Sequence, residues 1–224
     1  MDRQIYYNVR EKFISSEGSH DWSHIERVIH NARIIQKNEG GDLKIIELAA
    51  LLHDIADHKF HNNDFEIGAK VAKQWILNHY QDEELSVKIE TIVAAVSYKG
   101  ALVLDDPLSL EGKIVRDADR LDAIGAVGIA RAFAYGGSKN RPLFDRKIIP
   151  ILHGTKESYA KSKSHTVNHF YEKLLLLSER METKTAKEIA KRRHLFMVQY
   201  LKQFFNELDF AIKDSEFDLT NFHE

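Results

Sequence analysis

The sequence contains no cysteine and no long apolar run, and each of these absences excludes a class of structure. Proline is also rare, with only three residues. Without cysteine there is neither a disulfide nor a thiolate metal site, which fits a reducing cytoplasm. No apolar stretch approaches the roughly 20 residues that cross a bilayer, and the first residues lack the apolar core of a signal peptide. The formal net charge of −2 gives no general attraction for nucleic acid. We therefore expect a cytoplasmic protein that binds neither membranes nor polymeric nucleic acid.

The length of 224 residues predicts one domain. Strand-like alternation is scarce, whereas apolar residues recur at helical spacing, so the predicted fold class is all-α. We expect a core over about 20–135, a polar loop that serves as a lid over about 136–164, and C-terminal helices over about 165–209.

Helix-capping residues and apolar periodicity define the predicted elements. Helices are expected over about 3–16, from Asp21 to the glycine pair Gly40-Gly41, from the capping residue Asp42 onward, over about 64–79 and 82–97, from about Leu110, over Gly125 to Ala134, and over about 165–181 and 184–209.

An adjacent histidine and aspartate, His53 and Asp54, lie in the otherwise apolar helical run from Leu48 to Asp57. Burying such groups without partners costs several kcal/mol, so a metal ion or a tight hydrogen-bond network should satisfy them. Imidazole and carboxylate are both ligands of first-row transition metals. The alternative is a core histidine bonded to a carbonyl group, with an aspartate at the helix end. These residues alone leave both interpretations open.

Further ligands for such an ion must come from other helices. His24 lies at the edge of an apolar arc and can face inward. His20, one turn earlier, either reaches the same rim or serves the start of the helix. Asp117, Asp119 and Asp122 point in three directions around their helix, so periodicity alone does not select a ligand among them.

Three segments, the first of them extended by a short fourth piece, occur in the order H…HD…D. They are His20-Asp21-Trp22-Ser23-His24 with Arg27-Val28, then His53-Asp54, then Asp117-Ala118-Asp119-Arg120-Leu121-Asp122. Together they resemble the HD-domain metal phosphohydrolases, and the resemblance implies an HD-domain-like helical bundle. It makes His24, His53, Asp54 and Asp119 the metal ligands. It also implies that Asp57 is a catalytic residue that orients the attacking water.

The resemblance implies one divalent metal ion, because Ala94-Ala95-Val96-Ser97 stand where two-metal members often carry a histidine pair. Manganese is the expected ion, with iron, cobalt, nickel, zinc and magnesium as alternatives. Further segments, Ser97 to Gly100, Asn168 to Leu174 and Arg192-Arg193-His194, are similar to a bacterial stand-alone subgroup that includes nucleoside triphosphate pyrophosphohydrolases.

The expected function is hydrolysis of a (deoxy)nucleoside triphosphate to monophosphate and pyrophosphate. Alternatives are a 5′-nucleotidase-type phosphomonoesterase and a non-catalytic nucleotide-binding regulatory module. Negative charge that develops on phosphoryl oxygens requires cationic or polar donors. Candidate substrate contacts are His20, Lys59, Lys99, Arg120, Arg141, Tyr159, His169 and Lys173. For several of these the alternatives are a solvated surface charge or simple helix packing. We also expect Arg27 and Asp122 to pair between helices, while the oligomeric state is left open.

Overall fold

A computed structural model describes residues 2–15, 22–56, 66–98, 100–155, 158 and 164–208. Within these residues the chain forms nine α-helices and one 3-10 helix and no strand, so the all-α prediction is confirmed. The helices are α1 (Arg3–Ser15), α2 (Trp22–Glu39), α3 (Leu43–Leu52), α4 (Ile67–Tyr80), α5 (Glu83–Val96), α6 (Leu110–Asp122), α7 (Gly125–Ser138), α8 (Asn168–Glu172), the 3-10 helix (Leu174–Arg180) and α9 (Lys184–Glu207).

The junction between α2 and α3 follows the sequence signals. Gly40 and Gly41 adopt positive φ angles of 83° and 87°, which glycine tolerates and which end α2. The Oδ1 atom of Asp42 then accepts a hydrogen bond from the backbone N–H of Lys44 at 2.8 Å and caps α3. The predictions for Asp42 and the glycine pair are thus confirmed, whereas Asp21 lies outside the described residues.

Helix α3 is the centre of the fold. Seven consecutive residues, Ile46 to Leu52, are buried, which indicates that neighbours surround the helix on all sides. Helices α2, α5 and α6 pack against it, and α2 also packs against α6. The three elements that carry the HD motif are therefore in mutual contact. None of the described helices is long and apolar enough to cross a membrane.

A buried carboxylate joins α6 to α9. Asp117 is fully buried and accepts hydrogen bonds from the backbone N–H of Thr183 at 2.7 Å and from the Thr183 hydroxyl at 2.8 Å. The backbone N–H of Glu182 donates to both of its oxygens. Asp117 thereby satisfies N–H groups at the N-terminus of α9, where helices carry unpaired donors.

The prediction of one helix over about 165–181 is wrong. Helix α8 ends at Glu172, and Lys173 takes a non-helical backbone conformation with φ −145° and ψ −61°. The leucine run then continues as the 3-10 helix, with Leu174, Leu175 and Leu177 buried. Leucine favours α-helix, so tertiary packing imposes this break. Helix α7 also runs four residues beyond the predicted end at Ala134.

Candidate metal centre

Two histidines and two carboxylates from α2, α6 and the C-terminal end of α3 lie close together. His24 is on α2, His53 is the C-cap residue of α3 with Asp54 next to it, and Asp119 is on α6. The two histidine Nε2 atoms lie 3.3 Å apart. The distances from His24 Nε2 are 3.6 Å to Asp54 Oδ2 and 3.5 Å to Asp119 Oδ1, and from His53 Nε2 both distances are 3.7 Å.

The other nitrogen of each imidazole has an oxygen acceptor. His53 Nδ1 lies 2.8 Å from the carbonyl oxygen of Ala50, and His24 Nδ1 lies 2.7 Å from Asp122 Oδ2. A carbonyl or carboxylate only accepts, so each neutral ring carries its proton on Nδ1. Both Nε2 lone pairs then face each other, which is the arrangement that outer acceptors impose on metal-ligating histidines.

These residues fit a single divalent ion. Metal–nitrogen and metal–oxygen distances of about 2.0–2.2 Å place neighbouring ligand atoms about 3–3.5 Å apart, close to the observed spacing. Among the described residues, His24, His53 and Asp119 form a group whose ligand atoms all lie within 4.8 Å of one another. The histidines are buried, while Asp54 and Asp119 are 27% and 28% exposed. The carboxylate side of the cluster is thus open to water and substrate.

The carboxylate of Asp122 contacts three groups that carry or can carry a positive charge: His24, Arg27 and Arg131. Arg27 donates to this carboxylate from Nε at 2.6 Å and from Nη2 at 3.1 Å, which confirms the predicted pairing between α2 and α6. Arg131 of α7 also donates to Asp122 Oδ2. This buried carboxylate therefore fixes the orientation of a metal-ligating ring and joins three helices.

The pKa values of His24 and Asp122 are shifted in opposite directions. Burial lowers the pKa of His24, but the hydrogen bonds to Asp122 and Asp54 and the charge of Asp119 raise it to about 9. Burial raises the pKa of Asp122, but its hydrogen bonds to His24 and Arg27 hold it well below the usual range. The cluster therefore attracts positive charge at Nε2, where a cation replaces the proton.

Arg120 stands next to a metal ligand in sequence but turns away from the cluster. Its guanidinium donates to Asp105 Oδ1 at 2.6 Å and to the carbonyl oxygen of Arg180 at 2.6 Å, and its side chain is buried. These contacts join α6 to the loop before it and to the 3-10 helix. The geometry gives Arg120 a structural role and does not support the predicted substrate contact.

Lys173 interacts electrostatically with Asp119 and Asp54 of the cluster, and His169 with Lys173 and Arg141. Burial lowers the pKa of Lys173, the charge of Asp119 opposes this shift and that of Arg131 adds to it. Burial lowers the pKa of His169 to about 3, and the charges of Lys173 and Arg141 lower it further. With a pKa of about 3, His169 is neutral at pH 7.

Several candidate residues cannot be placed. His20, Asp57, Lys59, Lys99 and Tyr159 lie outside the described residues.

Arg131 was missed by the sequence reasoning. It is a lone arginine in the glycine- and alanine-rich stretch from Gly125 to Ala134, which we interpreted only as a closely packed helix. Its partner Asp122 lies on a different helix, so helical periodicity does not connect them. An isolated charge in a stretch of small, closely packed residues was the available signal.

The comparisons with known proteins agree with this geometry. The model of the HD domain family matches residues 21–124. The uncharacterised protein YpgQ of Bacillus subtilis is 37% identical over 201 residues, which are 89% of this chain and 90% of YpgQ. An HD-superfamily hydrolase from Bacillus thuringiensis is 40% identical, with a TM-score of 0.70 over 92% of this chain and 95% of that one. The chain belongs to the HD superfamily. It is a metal-dependent phosphohydrolase of that superfamily, and its cluster is the expected site of a divalent ion.

Two further proteins are similar to this chain. The crystal structure of Bacillus subtilis YpgQ in complex with ADP has a sequence 35% identical to this one. Its TM-score is 0.69, and the match covers 95% of this chain and 96% of that one. Ribonuclease Y of Campylobacter fetus is 29% identical over 154 residues, which are 62% of this chain but only 30% of that enzyme.

Proposed function

We propose that this protein hydrolyses a (deoxy)nucleoside triphosphate to a monophosphate and pyrophosphate, with manganese as the bound ion. The observation that carries the proposal is the electrostatic interaction of Lys173 with the cluster carboxylates Asp119 and Asp54, together with that of His169 with Lys173 and Arg141. A monophosphate at the metal ligands requires few cationic partners, whereas a triphosphate requires several along its length. The ADP complex of YpgQ supports a nucleotide as the ligand.

The residues divide the chemistry among them. A divalent ion held by the four ligands supplies Lewis acidity toward a phosphoryl oxygen and lowers the pKa of bound water toward about 7. Lys173 stabilises charge on the phosphate oxygens. Neutral His169 offers a hydrogen bond rather than a charge. Arg141 neutralises the phosphate of the substrate that lies farthest from the metal ligands. Asp57, three residues after the ligand Asp54 in the sequence, is proposed to orient the attacking water, a role suited to a carboxylate.

The direct test is product analysis. Manganese-loaded protein is incubated with ATP, dATP, the other nucleoside triphosphates and a panel of monophosphates, and the products are resolved by anion exchange. We expect equal amounts of nucleoside monophosphate and pyrophosphate, without orthophosphate. Orthophosphate released only from monophosphates would instead establish a phosphomonoesterase. If the protein cleaves a single-stranded RNA but none of the nucleotides, it is a ribonuclease, as the name of the similar ribonuclease Y indicates for that protein.

Lys173 gives the sharpest variant. Lys173→Met removes the charge and keeps the length of the side chain, and a charge-assisted hydrogen bond contributes about 1.5–3 kcal/mol. We therefore expect kcat/KM for the best triphosphate to fall about 10- to 100-fold. The control is Lys187→Met, because Lys187 is exposed on α9, and it should match the wild type. Equal kinetics for both variants would remove Lys173 from the substrate site.

A further inference from the structure

The C-terminal end of α6 carries two residues of the metal centre. Asp119 Oδ1 lies 3.5 Å from His24 Nε2, and Asp122 Oδ2 lies 2.7 Å from Nδ1 of the same ring. The last carbonyl groups of a helix have no N–H partner in the next turn of their own helix, so donors from elsewhere can bind them and hold the turn in place. The geometry of the metal centre therefore depends on what holds this end of α6.

Side chains from two other helices bind carbonyl groups at this end. Asn31 of α2 is buried and donates from Nδ2 to the carbonyl oxygen of Ala118 at 3.3 Å. Arg193 of α9 donates from Nη1 to the carbonyl oxygen of Leu121, where the helix dipole favours a cation. Each of these carbonyl groups belongs to the residue directly before one of the two aspartates. The turn is thus held at two points.

The stem of Arg193 reaches α6 across its junction with α7. A Cβ on Gly125, the first residue of α7, would lie 3.0 Å from Arg193 Cγ and 3.1 Å from Arg193 Cβ. Gly125 also has a φ of 78°, which glycine tolerates. Burial lowers the pKa of the Arg193 guanidinium, and the charge of Asp122 opposes this shift. Arg193 therefore packs on the backbone of the junction as well as binding a carbonyl group.

Arg193 lies outside the segment that defines the family. The HD model ends at residue 124, so it includes Asn31 but not Arg193. Helix α9, which carries Arg193, packs against α2, α6 and α7. The second holding point of α6 is therefore supplied by a C-terminal helix that the family motif does not contain.

We propose that Arg193 is a positioning residue of the metal centre, which holds the C-terminal end of α6 so that Asp119 and Asp122 keep their distances to His24. The inference goes beyond the proposed function, because it concerns metal binding and not the choice of substrate. Without the guanidinium, the carbonyl group of Leu121 loses its charged donor and the junction loses the stem packed on it. The two aspartates then occupy a wider range of positions, and fewer of these positions suit the ion.

Metal titration of the folded protein tests this without turnover. Titration calorimetry with manganese chloride compares the wild type with Arg193→Met, at a temperature at which circular dichroism shows the metal-free proteins to be folded. We expect the dissociation constant for manganese to rise about tenfold, the lower end of the effect of groups that orient metal ligands. The control Arg192→Met changes the exposed neighbour on the same helix and should bind manganese as the wild type does. Wild-type affinity in Arg193→Met would overturn the proposal, even if that variant is less stable, because its role would then be structural only.

Two conservative variants cover the case in which Arg193→Met does not fold. Arg193→Lys keeps a cationic donor and most of the stem, so its manganese affinity should lie within about threefold of the wild type. Arg193→Gln is neutral and shorter and should bind manganese more weakly than Arg193→Lys. Wild-type affinity in both variants would also overturn the proposal. A wild type that binds manganese but hydrolyses no nucleoside triphosphate rejects the proposed function and not this role of Arg193.

Discussion

Three aspartates within six residues of α6 show how position divides the use of one chemical group. Asp119 faces the metal ligands, Asp122 orients His24 from behind, and Asp117 holds the N-terminus of α9. The sequence showed that the three side chains point in different directions, but it could not say what each would meet. Only the family resemblance selected Asp119 as the ligand.

The pair Asp119 and Asp117 can be separated by experiment. Asp119→Asn should abolish tight manganese binding and change the free energy of unfolding of the metal-free protein little. Asp117→Asn should retain manganese but lose about 1–3 kcal/mol of stability, because it disturbs buried hydrogen bonds. Calorimetry with manganese and urea unfolding of the metal-free proteins measure the two effects. Parallel behaviour of the two variants would contradict this division.

His169 should make stability depend on pH. Its pKa is about 3 in the folded protein against an ordinary 6.5, so between these values the unfolded chain binds more protons. Its contribution is complete above about pH 6.5 and is lost as the pH falls toward 3, by at most about 1.4 kcal/mol per pH unit. His169→Asn should therefore flatten the decline in stability measured by urea unfolding between pH 7.5 and 5. The exposed His30, changed to asparagine, should keep the wild-type slope.

At the scale of elements, α7 depends on glycines at two close contacts. A Cβ on Gly128 would lie 2.2 Å from the carbonyl oxygen of Ala123, and one on Gly136 would lie 2.1 Å from Thr166 Oγ1. The first contact places the N-terminal part of α7 directly against the end of α6. Gly137, on the same helix, has no atom within 4 Å of its Cβ position.

This contrast gives a matched pair of variants. Gly128→Ala forces a backbone shift and should cost about 1–3 kcal/mol, as overpacking does. Gly137→Ala, in the last turn of the same helix, should be neutral or stabilise by up to about 1 kcal/mol. Urea unfolding measures the change in the free energy of unfolding for both variants. A neutral Gly128→Ala would show that the contact between α6 and α7 is looser than the structure indicates.

The helices that sequence reasoning placed correctly carry local signals. Asp42 caps α3 through its own side chain, and the preceding glycines adopt left-handed conformations that few other residues tolerate. The break at Lys173 has no such signal, because it comes from packing between distant segments. The same reason explains why the sequence did not reveal the contacts of Arg120. Its partners Asp105 and Arg180 are 15 and 60 positions away, and no periodicity connects them.

At the scale of the whole molecule, the metal ligands join segments that are far apart in the chain. His24 and Asp119 are separated by most of the HD-matching segment, and their helices pack on each other and on α3. The identity of the ligands could be inferred from their order in the sequence, because the family motif carries it. The contacts behind them could not, except for Arg27 with Asp122, since they depend on how α7 approaches α6.

Metal binding should consequently stabilise the entire fold. A ligand that binds only the folded state at 100 times its dissociation constant contributes about 2.7 kcal/mol, which for a chain of this size raises Tm by about 5–10 °C. Differential scanning calorimetry with and without manganese measures this rise. Asp54→Ala should show none, while Asp117→Asn should show the full rise from a lower starting Tm. An unchanged Tm in the wild type would mean that the cluster does not hold the ion tightly.

The hydrogen bonds from Thr183 to Asp117 have a consequence for the order in which the protein opens. Because Asp117 stands two residues before Asp119 on the same helix, fraying of the α9 N-terminus exposes α6 from the side opposite the ion. Amide exchange should therefore report Thr183 and the middle of α6 as one cooperative unit. Substitutions that loosen this distant end should shorten the time for which the ion stays bound, although they touch none of its ligands.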